Sequence, residues 1–324
     1  MLTKTKTKTK TKTKTKTKTK TRLDPKPSFQ LSDNSGFHDH HDCTMTQFIR
    51  HYLLSLQFFT RIPVTGRLAD WVGFSPAMLR DSAGHFPGVG VLVGLLVAVF
   101  TAGLLMALPP TGSAPLVAAA LGTVLGVFIT GAFHEDGLAD VADGLGGSAD
   151  RDRALTIMKD SRVGAFGAIA VVLALLCKVA LLALLGDVSG PLMVLALFVA
   201  HVASRTWPLL TIRLMVHVGD AAGSKSKPLA DQISAAALRT GFVWCLLALA
   251  LTVYAQATTD FVAINLTDLG LLQALINALV ASLIAWGLMA RWFWQRLGGF
   301  TGDCLGATQQ VCELAFYLGL ALSL

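Results

Sequence analysis

Seven times along this chain an apolar run reaches the length that crosses a bilayer. The runs fall at about 87–108, 114–133, 164–186, 189–210, 240–258, 270–290 and 304–324. An α-helix rises about 1.5 Å per residue, so some 20 apolar residues cover a hydrocarbon core of about 30 Å. In lipid every backbone N–H and C=O must be satisfied within the segment, which leaves helices as the answer for runs of this kind. The expectation is an all-α fold, a polytopic integral membrane helical bundle of about seven spans. With 53% hydrophobic and 15% charged residues, a chain of 324 residues lacks the polar surface of a soluble domain of that length. The stretch "FIRHYLLSLQFFT" at 48–60 is too short and too basic to cross, and reads as an interfacial N-terminal helix closed by the turn at Ile62-Pro63.

The net charge of +7 misleads, because the first 26 residues hold ten lysines and one arginine against one aspartate. The rest of the chain carries a slight acidic excess, so the basic balance does not argue for nucleic acid. Thr3 to Lys20 alternates Thr and Lys with no apolar face, which predicts disorder. Such a tail has no secretory h-region and attracts anionic lipid weakly at most. Residues 38–42, "HDHHD", read as a polar linker or an adventitious metal binder. The expected division is 1–46, a disordered tail and linker, and 47–324, a membrane domain. Five cysteines without a CxxC pair read as reduced packing residues.

With the N-terminus placed in the cytoplasm, fourteen lysines and arginines between Arg50 and Arg296 fall in cytoplasmic segments. The opposite loops, "PPTGS", "GDVSG" and 259–269, hold none. The positive-inside rule then orients the chain.

That orientation puts an acidic stretch, "HEDGLADVADG" (134–144), on the cytoplasmic side, directly after a span. Asp136, Asp140 and Asp143 are spaced four and then three, one face of a helix. Like charges so placed repel at a poorly solvated bilayer edge, and a hard divalent cation such as Mg²⁺ relieves that by taking carboxylate oxygens together with substrate phosphates. The alternative is a solvated helix end whose acids face water. Against it stand "RDRALTIMKDSR" (151–162), carrying Arg151, Arg153, Lys159 and Arg162, and a second acidic loop, "GGFTGDCLGA" (298–307), with Asp303 between glycines. Carboxylates facing cations suit phosphate chemistry, with Arg and Lys neutralising developing charge.

Two intramembrane cations remain. Arg205 either snorkels to the interface or reaches a phosphate in the site. Lys178 lies mid-span and needs a partner, for which Glu313 is a candidate. His134 ligates the metal or caps the helix mouth, and His85 reads as structural.

The motifs "LQFFTRIPV" (56–64), "FPGVGVLVG" (86–94), "HEDGLADVADG", "MKDSRVGAFG" (158–167), "ASR" (203–205) and "GGFTGDCLGA" occur in this order. Together they resemble the cobalamin synthase family, the adenosylcobinamide-GDP ribazoletransferases of B12 nucleotide-loop assembly, from about residue 47 to the C-terminus. The resemblance implies an integral inner-membrane phosphotransferase of a bacterium that uses Mg²⁺, with its site facing the cytoplasm. It would join α-ribazole, or its 5′-phosphate, to adenosylcobinamide-GDP and release GMP. In that reading Asp136, Asp140 and Asp143 hold the metal, with Asp303 a weaker candidate. Asp160 is a candidate to deprotonate the attacking group, and the cations of 151–162 with Arg205 hold phosphate. The Thr-Lys tail has no counterpart in the family pattern, and the loop 219–239, with Lys225 and Lys227, matches only loosely.

Two other readings compete. Asp140-Val141-Ala142-Asp143-Gly144 matches the DxxDG that opens the CDP-alcohol phosphatidyltransferase signature, but the Ala-Arg step and the later acidic pair are missing. An ion-coupled transporter would place its acids near the bilayer midplane in repeated halves, and neither feature is visible.

Overall fold

The computed structural model describes residues 44–219, 233–259 and 268–324. The Thr-Lys tail, the His-rich linker, Lys225, Lys227 and the greater part of the loop 259–269 lie outside the described residues. Among the described residues the chain is helical, with one isolated bridge, His217 to Phe300, and no strand.

The N-terminal layer is α1 (Thr44–Phe59), α2 (Arg67–Val72) and α3 (Pro76–Ser82), followed by a 3-10 turn, Ala83–His85. Helix α1 answers to the expected interfacial helix. Met45, Phe48 and Ile49 are exposed, while Leu54, Leu56 and Phe59 are buried. It ends where expected, with the Thr60 hydroxyl accepting from the Ile62 N–H before Pro63.

The bundle consists of α4 (Phe86–Ala107), α5 (Ala114–Thr130), α8 (Ala165–Val188), α9 (Gly190–Leu214), α10 (Ala235–Thr259), α11 (Asp268–Leu297) and α12 (Gly302–Ala321). Helices α6 (Phe133–Gly147) and α7 (Arg151–Met158) intervene between α5 and α8. Among the described residues five helical stretches are long and apolar enough to cross a membrane, and α5 with α6 makes a sixth only as a pair bent by 89°. The seventh expected run, 304–324, forms α12 but falls outside that set. Its middle carries Gln309, Gln310 and Glu313, and these side chains are buried against other helices rather than turned to lipid.

Helix α9 is the central post. Its most apolar window is 89% buried, against 22–39% for the other four crossing stretches. Small residues let α4 pack closely on it. A Cβ at Gly90 would lie 2.4 Å from the His201 carbonyl oxygen, and one at Gly94 would lie 3.0 Å from that of Phe198. Polar ties across the apolar interior fix α9 to α11 and α12: Trp207 Nε1 donates to Ser282 Oγ, which donates to the Cys312 carbonyl, and Trp286 Nε1 donates to Thr211 Oγ1. In a bundle such bonds contribute roughly 0.6 kcal/mol each.

The break after α5 positions the acidic stretch. Gly131 takes φ +65°, and a Cβ there would strike the Arg61 side chain. Ala132 follows at φ 58°, a conformation that costs an L-residue about 1–2 kcal/mol. The two together turn the chain through 89°, so α6 leaves the line of α5. Alternating helix directions bring α6, α7 and the near ends of α8, α9, α11 and α12 to one end of the bundle. Three bonds tie that end: Arg151 Nε to the Leu297 carbonyl, Arg296 Nη2 to the Leu145 carbonyl, and Val218 N–H to the Phe300 carbonyl.

Candidate active site

Helix α6 has two faces. Asp136 is exposed and Asp140 half-buried, one turn apart, while His134, Glu135, Gly137 and Asp143 are buried. Across from α6 stands the first turn of α12, which carries Asp303 behind its N-cap Thr301. The two backbones touch: a Cβ on Gly137 would lie 2.8 Å from the Asp303 carbonyl oxygen, and one on Gly306 would lie 3.2 Å from that of His134. Glycine at both positions is therefore what lets the two acidic loops of the sequence form one site.

The carboxylates act on one another. Burial pushes Asp140 up to about 7, and the charges of Asp303, Asp136 and Asp143 push the same way. Carboxylates that repel one another in this way would be relieved by a cation. Among the described residues no three of His, Cys, Asp and Glu form a ready-made metal cage. For Mg²⁺ that is no obstacle, since one or two carboxylates plus substrate phosphates and water complete its shell. The all-oxygen, all-carboxylate donor set suits a hard ion.

Asp143 has a role that spacing did not reveal. Its Oδ2 accepts the Gly164 N–H at 2.7 Å and its Oδ1 accepts the Gly167 N–H at 2.8 Å. It caps the N-terminus of α8, where orphan N–H groups and the helix dipole favour an anion. Gly164 and Gly167 permit the approach, for a Cβ at either would lie within 2.5 Å of the carboxylate.

The expected cations are dispersed over α7 and the loop after it. Arg151 is tied to the Leu297 carbonyl and to Asp152. Arg153, near the start of α7, and Lys159, just past its end, are exposed. Arg162 grips Asp160 through both carboxylate oxygens, 2.5–3.2 Å. That partner holds the Asp160 carboxyl down at about 2, so at neutral pH it is a weak proton acceptor. Arg205 does not snorkel: it is 1% exposed, and its Nη1 turns back into the bundle to the Nδ1 and carbonyl oxygen of His201. Its guanidinium carbon sits 5.7 Å from the centroid of Phe86, which also stacks on the rings of His134 and Phe59.

Arg296 stands out among residues the sequence reading did not place in the site. Its Nη2 donates to the Leu145 and Ser148 carbonyls at the C-terminal end of α6. A basic residue satisfying the last carbonyls of a helix is a familiar arrangement, but the helix it serves is 148 residues away in sequence. Glu135 is one of the four carboxylates of the acidic stretch, and the sequence reading gave it no role in the site.

Comparisons with known proteins show the family. The family profile described as cobalamin-5-phosphate synthase matches residues 51–321. The chain is 81% identical over 280 residues to the adenosylcobinamide-GDP ribazoletransferase of Albidiferax ferrireducens, covering 86% of this chain and all of that protein. It is 61% identical over 292 residues to that of Polaromonas naphthalenivorans, again covering 86% of this chain and all of its relative. A more distant relative of the same name, from Vibrio cholerae, is 38% identical over 272 residues, 82% of this chain and 91% of that protein. No solved structure matches the chain. The match takes in α6, the basic segment and Asp303 alike, and the chain belongs to the cobalamin-5-phosphate synthase family.

Proposed function

We propose that this protein is an adenosylcobinamide-GDP ribazoletransferase, carrying adenosylcobinamide phosphate from adenosylcobinamide-GDP to α-ribazole or α-ribazole 5′-phosphate. The acceptor oxygen forms a bond to the phosphorus attached to cobinamide, the bond from that phosphorus to the GMP oxygen breaks, and GMP leaves with the electron pair. The observation that carries the reading is the meeting of the Asp136–Asp140 face of α6 with Asp303 of α12.

Asp136 and Asp140, with Asp303 beside them, would hold Mg²⁺, and Asp143 would support the set from behind while capping α8. The ion, when bound, supplies positive charge at the phosphate oxygens and orients them. Arg151, Arg153, Lys159 and Arg162 border the same end of the bundle and would neutralise the remaining diphosphate charge. Arg205 contributes through the buried field behind α6 rather than by contact with phosphate. The protein lies in the inner membrane of a bacterium with this end in the cytoplasm, a reading supported by the one-sided placement of Lys and Arg.

The test is GMP release by detergent-solubilised full-length protein given adenosylcobinamide-GDP and either acceptor, in Mg²⁺ or in EDTA. GMP in Mg²⁺ and none in EDTA is expected. No GMP from folded protein with either acceptor would overturn the assignment.

A further inference from the structure

Behind the exposed carboxylates runs a chain of buried hydrogen bonds that neither the family match nor the proposed chemistry assigns. Lys178 Nζ contacts Glu313 Oε1 at 2.7 Å. Gln309 Nε2 donates to Glu313 Oε2 at 2.8 Å and to Ser204 Oγ at 3.0 Å. Gln310 Nε2 donates to Gln309 Oε1 at 3.0 Å and to Glu135 Oε1 at 3.1 Å. Each amide nitrogen uses both of its hydrogens. Turning the Gln310 amide over would set its oxygen against the Glu135 carboxylate, so the bonds run one way only.

The last link in this chain is on α6. Glu135 immediately precedes Asp136, is 8% exposed, and its Oε2 has no hydrogen-bond partner among the described residues. A half-satisfied buried carboxylate costs stability, and Arg205, fully buried and electrostatically coupled to it, offsets part of that cost. Meanwhile α6 and α12 touch through Gly137 and Gly306, a contact with no side chains to interlock. Glycines allow close approach but do not themselves fix the rotation of α6 about its axis. Asp143, bonded to Gly164 and Gly167, holds the far end of α6, and that rotation sets how far Asp136 and Asp140 stand from Asp303. Gln310 is one turn along α12 from Gly306, and its bond to Glu135 supplies a second stop at the near end, beside the carboxylates.

We infer that Glu135, held by Gln310, is a positioning residue that fixes the rotation of α6 and so the spacing of the carboxylates that take the divalent cation. The inference rests on the metal reading under Proposed function. It makes the intramembrane pair Lys178–Glu313 the anchor of the active site, reached through two glutamines.

The test uses full-length protein in detergent. Mn²⁺ is titrated with the free ion read by electron paramagnetic resonance, and GMP release is followed against Mg²⁺ concentration. Gln310→Leu and Gln310→Glu are compared with wild type and with Glu135→Gln, which keeps an oxygen to accept from Gln310. Outer-shell changes typically weaken a metal site 10–100-fold, so Gln310→Leu should raise half-saturating Mn²⁺ by about 10-fold, and Gln310→Glu, with two carboxylates opposed, by more. At saturating metal kcat should stay within about threefold of wild type, and Glu135→Gln within about threefold in both readouts. Unfolding midpoints identify a variant that fails to fold, and the remaining variants then decide. Unchanged Mn²⁺ affinity in folded Gln310 variants overturns the inference alone. Lost turnover with normal Mn²⁺ binding in Glu135→Gln also overturns it, because Glu135 would then act on the reacting atoms. Wild type that binds no Mn²⁺ and releases GMP in EDTA sinks the metal reading and this inference together.

Discussion

Lys178 of α8 and Glu313 of α12 meet at 2.7 Å inside the bundle, 5% and 1% exposed. Tyr317 adds a bond from its hydroxyl to Glu313 Oε1 at 2.9 Å. Two helices, α8 and α12, thus meet on one carboxylate through charge and hydrogen bonds. Desolvating two such ions costs several kcal/mol each, and their mutual attraction roughly repays it only while both are present. Removing one partner leaves a bare charge. Lys178→Met and Glu313→Leu, singly, should each destabilise the protein by about 3–5 kcal/mol, while the double variant should lose much less. Thermal unfolding in detergent checks this, and additive losses in the double variant would count against a coupled pair.

Asp136, exposed, and Asp140, half-buried, are the outward-facing members of the α6 cluster. Replacing either by Asn removes charge without changing shape, so the fold should survive. GMP release should fall by at least about 100-fold, since a direct ligand should matter no less than the outer-shell partners whose loss costs up to that much. Near-normal turnover in both variants, with normal Mg²⁺ dependence, would move the metal elsewhere.

The apolar runs and the acidic spacing were legible because each depends on local sequence alone. Helix length follows from run length, and Asp136 and Asp140 share a face because they stand one turn apart. Glu313 was a candidate partner for the mid-span Lys178, and packing decides the pair. What spacing could not supply was which helix packs on which. Asp143 reads as a third member of the acidic face, yet 24 residues further along the chain Gly167 claims its carboxylate. Similarly, 304–324 reads as one more lipid-facing span, and only the packing shows Gln309 and Gln310 to be interior connectors. Arg205 was open between two roles at the membrane surface, and the structure buries it beside His201 instead.

The Asp143 cap yields a distinct prediction. Helix N-caps contribute about 0.5–2 kcal/mol, and this one serves two N–H groups. Asp143→Ala should lower stability by about 2 kcal/mol at the α6–α8 junction. Any loss of activity should track the lowered unfolding midpoint and be recovered on cooling. If the midpoint is unchanged while Mn²⁺ binding disappears, Asp143 is chiefly a ligand and the cap is incidental.

Asp140 also gives the site a pH dependence whose sign is fixed. Its carboxyl is raised to about 7 by burial and by the charges of Asp303, Asp136 and Asp143, from an ordinary 3.8. Between those two values the folded protein holds a proton that the unfolded chain has released. Stability of the metal-free protein should therefore fall as pH rises from about 4 to about 7, the reverse of a salt-bridged carboxylate. Below that window both states are protonated, and above it both are ionised. Metal binding has the opposite trend, because a divalent cation must displace the proton. Affinity for Mn²⁺ should strengthen as pH rises through 7, and Asp140→Asn should flatten both curves. Titrations of Mn²⁺ affinity and of unfolding midpoint from pH 5 to 8.5 check the two slopes in one series. Equal slopes in wild type and Asp140→Asn would assign the titration to another group.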